Sequence, residues 1–532
     1  MNPRRTDDDI SMLPDGEPVG SLSPAEAAFE RGRQLAGVVL APAAFAIAWL
    51  TTGDLGPEGQ ALSAVLAAVV ALWICETLPL PVTALVGAML CVVLGVAPAR
   101  QVFGYFADPI VFLFIGSFML ARAMSVHGVD RRIALSFLSV HWISDRPARL
   151  LAGLGLVTAA LSMWVSNTAT TAMMLPIALG LLGALHQARA AGGAAGGRGS
   201  PFATGLMLMV AYAASIGGIG TPVGSPPNLI GIGLIRNSTG IEISFFTWMA
   251  LAVPILGVMA IVLFALLHRL HPAAPRASAG ASRADAELGA EMRTHVERER
   301  ARLGPWTRGQ INTLIAFGVA VTLWVLPGVL AALGQEESAA GEWLRTRMPE
   351  ALVALFAAVL LFVLPVRLRT GEFTLTWSDA VRIDWGTILL FGGGLALGSL
   401  MFETGVAQAV GEGLAGQLGA SSLWRLTFAA IAIGIVLSET TSNTAAANMV
   451  IPVVIAIAQA ADLNPVPPAL GACLGASFGF MLPVSTPPNA IVYGSGLVPI
   501  PKMMRAGILF DLLGLFVIWI GLRIMCPLLG LA

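Results

Sequence analysis

Charged residues are scarce in this chain. Only 11% of its 532 residues are Asp, Glu, Lys or Arg, 56% are hydrophobic, and the mean hydropathy is +0.80. A soluble fold needs more polar surface than this composition supplies. The composition therefore predicts a membrane protein. Apolar stretches of about 20 residues, the length that a spanning helix needs, recur along the whole sequence.

Groups that perform chemistry are scarce as well. The four cysteines lie in or beside apolar segments, without paired spacing and without a nearby histidine, so neither a zinc site nor a disulfide framework is indicated. The apolar segments contain no Ser–His or paired-Asp arrangement and no His-Glu-x-x-His motif. These absences argue against an intramembrane enzyme, and we expect no catalytic residues.

The positions of the basic residues predict the orientation. Residues 1–34 have no cleavage site after a short apolar core, so we interpret them as a cytoplasmic tail. If the chain crosses the membrane eleven times, the Arg-rich segments 129–149, 270–309 and 366–383 all lie on the cytoplasmic side. Lys and Arg are enriched in cytoplasmic loops, so this placement supports the predicted orientation. We expect membrane lipid as a partner and no nucleic acid.

The two halves of the chain repeat each other. Several positions recur at one offset of 276 residues: Asp108 with Asp384, Gly116 with Gly392, Ser162 with Ser438, and Ser166-Asn167-Thr168 with Ser442-Asn443-Thr444. A second pair follows a Gly/Ala-rich insert at 191–199: Pro222-Val223-Gly224-Ser225-Pro226-Pro227-Asn228 with Pro483-Val484-Ser485-Thr486-Pro487-Pro488-Asn489. Each half therefore carries two matching polar interruptions.

Each repeat contains an odd number of predicted spans, so the second copy must enter the membrane from the opposite side. We predict an all-α polytopic protein with about 11 transmembrane helices plus two re-entrant hairpins in two inverted-topology repeats. The parts are a cytoplasmic tail (1–34), a first membrane half (35–269) with a hairpin (150–186) and a broken helix (204–235), a cytoplasmic connector (270–309), and a second membrane half (310–532) with a hairpin (422–462) and a broken helix (466–497). The Ser-Asn-Thr triplets lie at the hairpin centres, because the arms on either side are short for a full crossing.

The polar interruptions carry groups that can bind an anion and a cation. Irregular backbone at membrane depth is tolerated only where protein or water satisfies its N–H and C=O groups. A helix that begins there points unpaired N–H groups and a positive dipole end at an anion. Exposed carbonyls, Ser hydroxyls and Asn oxygens suit Na⁺, which favours oxygen ligands as other hard cations do.

A structural interpretation competes with this one. Ser-Asn-Thr is also a common helix N-cap, and Pro-Pro can be merely a kink. The repetition of both motifs in register favours a shared binding site. Among the intramembrane acids, we expect Glu76, Glu403 and Asp511 to be solvated near span ends. Glu439 is a candidate acceptor behind the second triplet, but the first half has no counterpart, and we assign none of the four acids a functional role.

These motifs resemble those of the divalent-anion/sodium symporter family, which includes bacterial dicarboxylate transporters and animal sodium–citrate and sodium–sulfate carriers. The second-half signature spans Ala476 to Ser485 and continues to Asn489 and Ile491-Val492. The doubled Ser-Asn-Thr resembles the carboxylate-binding members. The resemblance covers the chain from about residue 35 and implies a multi-pass protein of the bacterial inner membrane, a homodimer and an elevator-type movement.

The resemblance also implies site residues. One Na⁺ site would use Ser162, Ser166, Asn167 and the backbone at Gly224, and the other Ser438, Ser442, Asn443 and the backbone at Ser485. The substrate would meet Ser166, Asn167, Thr168, Ser225, Ser442, Asn443, Thr444, Thr486 and Pro487. The family often has Thr where Ser438 stands and Ala where Ser485 stands, so the extra hydroxyl at Ser485 is expected to alter substrate preference.

We therefore expect Na⁺-coupled symport of a C4-dicarboxylate such as succinate, malate or fumarate, with two or more Na⁺ per cycle. The alternatives are a Na⁺-independent dicarboxylate exchanger and a symporter of citrate or sulfate, because the same donors accept any compact oxyanion. A soluble binding role would be carried by the tail or by the connector.

Overall fold

The structure is a computed structural model that describes residues 24–144, 146–191, 200–272, 281–335, 337–415 and 422–532. Within these ranges most residues are helical, and the only strands are the short antiparallel pair β1 (Pro365–Arg367) and β2 (Glu372–Phe373). The all-α class is confirmed. The predictions for the start of the tail, most of the insert and the start of the connector fall outside the described residues.

The helices of the first half follow each other in this order: α1 (Pro24–Thr51), α2 (Gly56–Cys75), α3 (Leu80–Val93), α4 (Ala99–Gly104), α5 (Pro109–His127), α6 (Val129–Leu138), α7 (His141–Ser144), α8 (Pro147–Ser162), α9 (Asn167–Ala191), α10 (Pro201–Gly217), α11 (Pro226–Thr239) and α12 (Phe245–Leu270). Helix α13 (Ala281–Arg302) then lies in the connector.

The second half continues with α14 (Arg308–Ala332), α15 (Ala339–Arg347), α16 (Glu350–Val363), α17 (Trp377–Ala380), α18 (Trp385–Glu403), α19 (Val406–Ala415), α20 (Leu423–Thr440), α21 (Asn443–Ala460), α22 (Val466–Gly475), α23 (Pro487–Tyr493) and α24 (Ile500–Leu528). Short 3₁₀ turns cover Gly53–Leu55, Tyr105–Ala107, Gly218–Gly220 and Leu368–Thr370.

Eleven of the described helices are long and apolar enough to cross a bilayer, or up to 12 if α15 and α16, which meet at 78°, count as one span. The eleven include α9, α20 and α21, which flank the Ser-Asn-Thr triplets. The other flanking helix, α8, has 16 residues. At about 1.5 Å per residue it is shorter than the hydrocarbon core. The expectation that all hairpin arms are short for a crossing is therefore confirmed for α8 and wrong for α9, α20 and α21, because α9 continues past the predicted end of its hairpin and α20 and α21 each remain helical for 18 residues.

The repeat is visible in how equivalent helices begin. The Asp108 carboxylate accepts a hydrogen bond from the Ile110 N–H at the start of α5 (2.9 Å), and the Asp384 carboxylate accepts one from the Thr387 N–H at the start of α18 (3.0 Å). Both helices have 19 residues. An acidic N-cap satisfies free N–H groups and complements the helix dipole, which explains why both repeats start a helix here.

The two halves interleave around the triplets. Helix α9 of the first half packs against α23 of the second, and α21 of the second packs against α11 of the first. Helix α10 runs through the centre, with every residue from Phe202 to Gly217 buried. One arm of each hairpin therefore contacts the broken helix of the other half, which joins the two repeats next to the triplets.

Candidate functional site

The first hairpin turns over the residues between α8 and α9. The Ser166 hydroxyl accepts a hydrogen bond from the Ala169 N–H (3.3 Å) and so caps α9. The Ser162 hydroxyl donates to Oδ1 of Asn167 (2.8 Å), which ties the end of one arm to the start of the next. Ser162 is completely buried, whereas Ser166 and Thr168 are exposed.

The second hairpin repeats this geometry. The Ser442 hydroxyl accepts from the Ala445 N–H (3.2 Å) and caps α21. The Ser438 hydroxyl lies 2.7 Å from Oδ1 of Asn443 and 2.9 Å from the Ala476 carbonyl oxygen, and its single hydrogen is available to only one of them at a time. The same two contacts, a Ser cap and a Ser–Asn pair, thus form at both tips.

These contacts divide the triplet into two roles. The N-cap interpretation holds for Ser166 and Ser442, whose hydroxyls accept helix N–H groups. It does not hold for Asn167 and Asn443, because each is the first residue of its helix and its side-chain oxygen faces the buried Ser of the opposite arm. Two neutral oxygens in contact at each tip are a ready pair of ligands for one hard cation.

Carbonyl oxygens of the first hairpin and of the first broken helix meet at Gly224. A Cβ atom at Gly224 would lie 2.6 Å from the Gly218 carbonyl oxygen, 2.8 Å from that of Met163 and 3.1 Å from that of Ser162. Three carbonyl oxygens therefore surround this position, and glycine is required because any side chain would collide with backbone. The Thr221 hydroxyl also donates to the Met163 carbonyl, which joins the broken helix to the hairpin tip.

An asparagine braces each break. The side-chain amide of Asn228 donates to the carbonyl oxygens of Gly218 (2.8 Å) and Thr221 (2.8 Å), and Asn228 is completely buried. A broken helix leaves such carbonyls without intrahelical partners, and a buried unpaired carbonyl is destabilising. The repeated Pro-Pro-Asn carried this signal in the sequence, but we predicted no role for its Asn.

The second break has the same brace. The side-chain amide of Asn489 donates to the carbonyl oxygens of Gly479 (2.9 Å) and Leu482 (3.0 Å), the positions that match those used by Asn228. A Cβ at Gly479 would lie 3.1 Å from the carbonyl oxygen of Ser438, so this break also lies directly on its hairpin. Both breaks are therefore ordered structures with satisfied carbonyls.

The second site differs from the first at Ser485. Its hydroxyl donates to Oε2 of Glu439 (2.6 Å), and Oε1 of the same carboxylate accepts from the Met481 N–H (2.8 Å). Glu439 is thus an acceptor behind the second tip, as we expected. The hydrogen of the Ser485 hydroxyl is used by Glu439, so this geometry gives no support to the expected effect on substrate preference.

The expectation for one further acid is wrong. We expected Asp511 to be solvated near a span end, but it is only 6% exposed, because α24 is long and packs along α12, α20 and α22. Glu403 is exposed, as expected. Glu76 forms an ion pair with Arg33 (2.9 Å). Helix length alone did not reveal the depth of Asp511.

The remaining predicted substrate residues lie at helix starts. Ser225 and Thr486 directly precede α11 and α23 and are buried, with exposures of 2% and 4%. Pro487 is the first residue of α23 and is exposed. Thr168 and Thr444 are the second residues of α9 and α21. The predicted substrate residues therefore all belong to, or directly precede, the first turn of one of these four helices.

The arrangement suits an anion held together with small cations. Helices α9, α11 and α21 have 25, 14 and 18 residues, and each begins at a hairpin tip or at a helix break, where its positive dipole end lies. Among the described residues, no group of three His, Cys, Asp or Glu side chains is placed to hold a metal ion. The available ligands are neutral oxygens, which favour monovalent hard cations over transition metals.

Comparison with known proteins shows the family of this chain. Residues 33–531 match the family model described as the sodium:sulfate symporter transmembrane region. The chain is 31% identical over 498 residues to the sodium-dependent dicarboxylate transporter SdcS of Staphylococcus saprophyticus, covering 93% of this chain and 92% of that protein. It is 32% identical over 470 residues to an uncharacterized transporter of Haemophilus influenzae, covering 87% and 91%.

A solved structure shares the fold. The crystal structure of the Alcanivorax borkumensis YdaH transporter, which has an unusual topology, superposes with a TM-score of 0.53 at 13% identity and covers 81% of this chain and 88% of that one. The resemblance inferred from the motifs is thus confirmed along nearly the whole sequence. The chain belongs to the sodium:sulfate symporter family, the divalent-anion/sodium symporters, and is a sodium-coupled anion transporter and not an enzyme.

Proposed function

We propose that this protein is a Na⁺-coupled symporter of C4-dicarboxylates such as succinate, malate and fumarate. The observation that carries the proposal is the doubled Ser–Asn contact, 2.8 Å between Ser162 and Asn167 and 2.7 Å between Ser438 and Asn443. It is supported by the relatives in two Staphylococcus species that are named sodium-dependent dicarboxylate transporters.

In this proposal each tip holds one Na⁺. The first ion binds Ser162, Ser166, Asn167 and the carbonyl at Gly224, and the second binds Ser438, Ser442, Asn443 and the carbonyl at Ser485. The three carbonyl oxygens beside Gly224 support the first assignment, since carbonyl oxygens are ligands that hard cations favour.

The dicarboxylate lies between the two tips. One carboxylate meets Asn167 and Thr168 with Ser225, and the other meets Asn443 and Thr444 with Thr486 and Pro487. The bound Na⁺ ions and the helix N-termini attract the dianion in a low-dielectric setting, and the dianion in turn favours the ions. This mutual stabilisation is a coupling free energy, so substrate and Na⁺ bind together.

We further propose that both hairpins and both broken helices move together as one unit in an elevator-type step within a homodimer of the bacterial inner membrane, with the N-terminus in the cytoplasm. The packing of each hairpin on the broken helix of the other half supports this unit. Each net positive charge carried inward gains about 2.3 kcal/mol per 100 mV, so a dianion needs at least two Na⁺ to avoid opposing the potential.

Uptake of labelled succinate into proteoliposomes tests the proposal. We expect accumulation that requires an inward Na⁺ gradient and that unlabelled malate and fumarate inhibit. Uptake that needs internal dicarboxylate instead of Na⁺ would favour exchange. Preferential inhibition by citrate or by sulfate would favour those substrates. Uptake that depends on neither Na⁺ nor counter-substrate would overturn the proposal.

A further inference from the structure

Basic residues gather at one end of the helix pair α12 and α24, which pack against each other. The basic cluster consists of residues in the last turn of α12, directly after it, and in the first two turns of α24: His268, Arg269, His271, Lys502 and Arg505. Helices α10 and α12 contain no Asp or Glu, and the first acid of α24 is Asp511, about 9 Å of helix beyond Arg505. The described helices at this end therefore place positive charges together without acids among them.

The two ends of α24 differ in how their arginines are partnered. Arg505 and Arg523 are separated by about 27 Å of helix, close to the thickness of the hydrocarbon core, so they mark its two faces. Arg523 lies over the rings of Trp519 (5.4 Å) and Trp424 (6.0 Å). Within the described ranges of the chain, Arg505 and Lys502 form no ion pair and lie over no aromatic ring. The charge at this end of α24 is left for a ligand.

His271 gives a second, independent sign of a missing partner. It is 5% exposed, and its Nε2 atom has no hydrogen-bond partner among the residues that the structure describes. It packs on the start of α10, where a Cβ at Gly205 would lie 2.6 Å from the His271 Cβ. Burial and the nearby charges of Lys502 and Arg505 lower the pKa of His271 to about 4, so the imidazole is neutral at pH 7. A neutral imidazole keeps one N–H donor, and a buried donor without an acceptor is destabilising.

Below Arg505, the surface of α24 is apolar and exposed. Ile508, Leu509 and Leu512 follow Arg505 at helical spacing and are 40%, 38% and 55% exposed. One face of the helix therefore carries a cation at the level of the lipid head groups and apolar side chains along the hydrocarbon core. An anionic phospholipid has the complementary order, with a negative phosphate above its acyl chains.

We propose that the basic cluster binds the phosphate group of one anionic phospholipid, such as phosphatidylglycerol, with an acyl chain along the apolar face of α24. Lys502 and Arg505 supply the charge, and a phosphate oxygen is the acceptor that the His271 N–H lacks. Basic pockets between transmembrane helices recognise lipid head groups in this way. A free phosphate ion has the same oxygens, but it would leave the apolar face unused. The site needs neither Na⁺ nor a dicarboxylate, so it stands independently of the proposed transport function.

Native mass spectrometry of the purified full-length protein in detergent tests the site. The probe is dioleoylphosphatidylglycerol, compared with dioleoylphosphatidylcholine, which has the same acyl chains and no net charge. We expect the wild type to bind phosphatidylglycerol about tenfold more tightly. Equal affinity for the two lipids would overturn the proposal, whether or not any variant folds. If inorganic phosphate displaced the lipid at equal concentration, the ligand would be a free anion and the lipid site would be refuted.

Substitutions locate the bound lipid. Lys502→Gln and Arg505→Gln should each weaken phosphatidylglycerol binding about fivefold, which corresponds to about 1 kcal/mol for one basic side chain near the head groups. His271→Phe keeps a buried ring, removes both ring nitrogens and should weaken binding about threefold without changing the affinity for phosphatidylcholine. Wild-type affinity in this variant would contradict the site, because only two surface cations would then remain.

The matched control is Arg523→Gln, which removes the same charge from the other end of α24. Its guanidinium already has ring partners, so the affinity for phosphatidylglycerol should not change. If Arg523→Gln weakened binding as much as Arg505→Gln, the lipid would respond to net charge alone and the proposal would be wrong.

Discussion

The two hairpins share one design but differ in their surroundings. At the first, Ser166 and Thr168 are exposed, and the matching break contributes Gly224, which lies against three backbone carbonyl oxygens. At the second, all three triplet residues are partly buried, and the break contributes Ser485, bound to Glu439. The repeat thus conserves the ligand geometry at the tips, while the residues behind each tip give the two sites different electrostatics.

Substitutions at Asn167 and Asn443 test the feature that both hairpins share, the Ser–Asn contact at each tip. We expect Ala at either position to abolish succinate uptake while the protein still reaches the membrane, because each substitution removes an oxygen at a tip and a donor for the substrate. Neither Asn caps its helix. Asn167→Ala leaves the buried Ser162 hydroxyl without its acceptor, which should lower stability by about 1–3 kcal/mol, whereas in Asn443→Ala the Ser438 hydroxyl keeps the Ala476 carbonyl as an acceptor. Uptake and surface abundance are measured together.

The matched control is Thr170→Ala, one turn into α9. Its buried hydroxyl has no hydrogen-bond partner among the described residues, and Ala446 stands at the equivalent position of the second half. It should transport normally. If the Asn variants transported as well as this control, the tips would be structural caps only.

Substitutions at Gly224 and Ser485 test the feature in which the two sites differ, the residue that each break places beside its hairpin tip. A Cβ at Gly224 would collide with three backbone oxygens, so Gly224→Ala should raise the Na⁺ concentration for half-maximal uptake about tenfold or more, which corresponds to roughly 1.4 kcal/mol. Ser485→Ala keeps the backbone carbonyl and loses only the hydrogen bond to Glu439, so we expect a shift of about threefold or less. Equal effects of the two substitutions would mean that Ser485 contributes through its side chain.

The smallest effects on transport are expected at the two braces, whose substitution acts on stability. Asn228→Ala and Asn489→Ala each leave two buried carbonyl oxygens without their donor, which should lower stability by about 1–3 kcal/mol per site. Thermal unfolding in detergent measures this as a lower Tm. The two shifts should be similar, since the geometry is the same, and a shift in only one variant would show that the breaks are not equivalent.

Much of this molecule could be predicted from sequence patterns. The apolar stretches, the repeat offset and the paired Ser-Asn-Thr and Pro-Pro-Asn motifs are local features, so they indicated the membrane class, the two hairpins and the two breaks. The role of Asn228 and Asn489 was missed, because a brace depends on which carbonyls are left free when a helix breaks. The depth of Asp511 was missed because it depends on which helices pack around α24.

The sequence by itself determined the class of the protein, its internal duplication and the residue types at each interruption, because hydropathy and repetition are properties of the chain alone. Only the tertiary structure decided that Ser162 contacts Asn167, that three carbonyls converge on Gly224 and that Ser485 donates to Glu439. These contacts join residues on different helices, and their distances follow from how the helices pack.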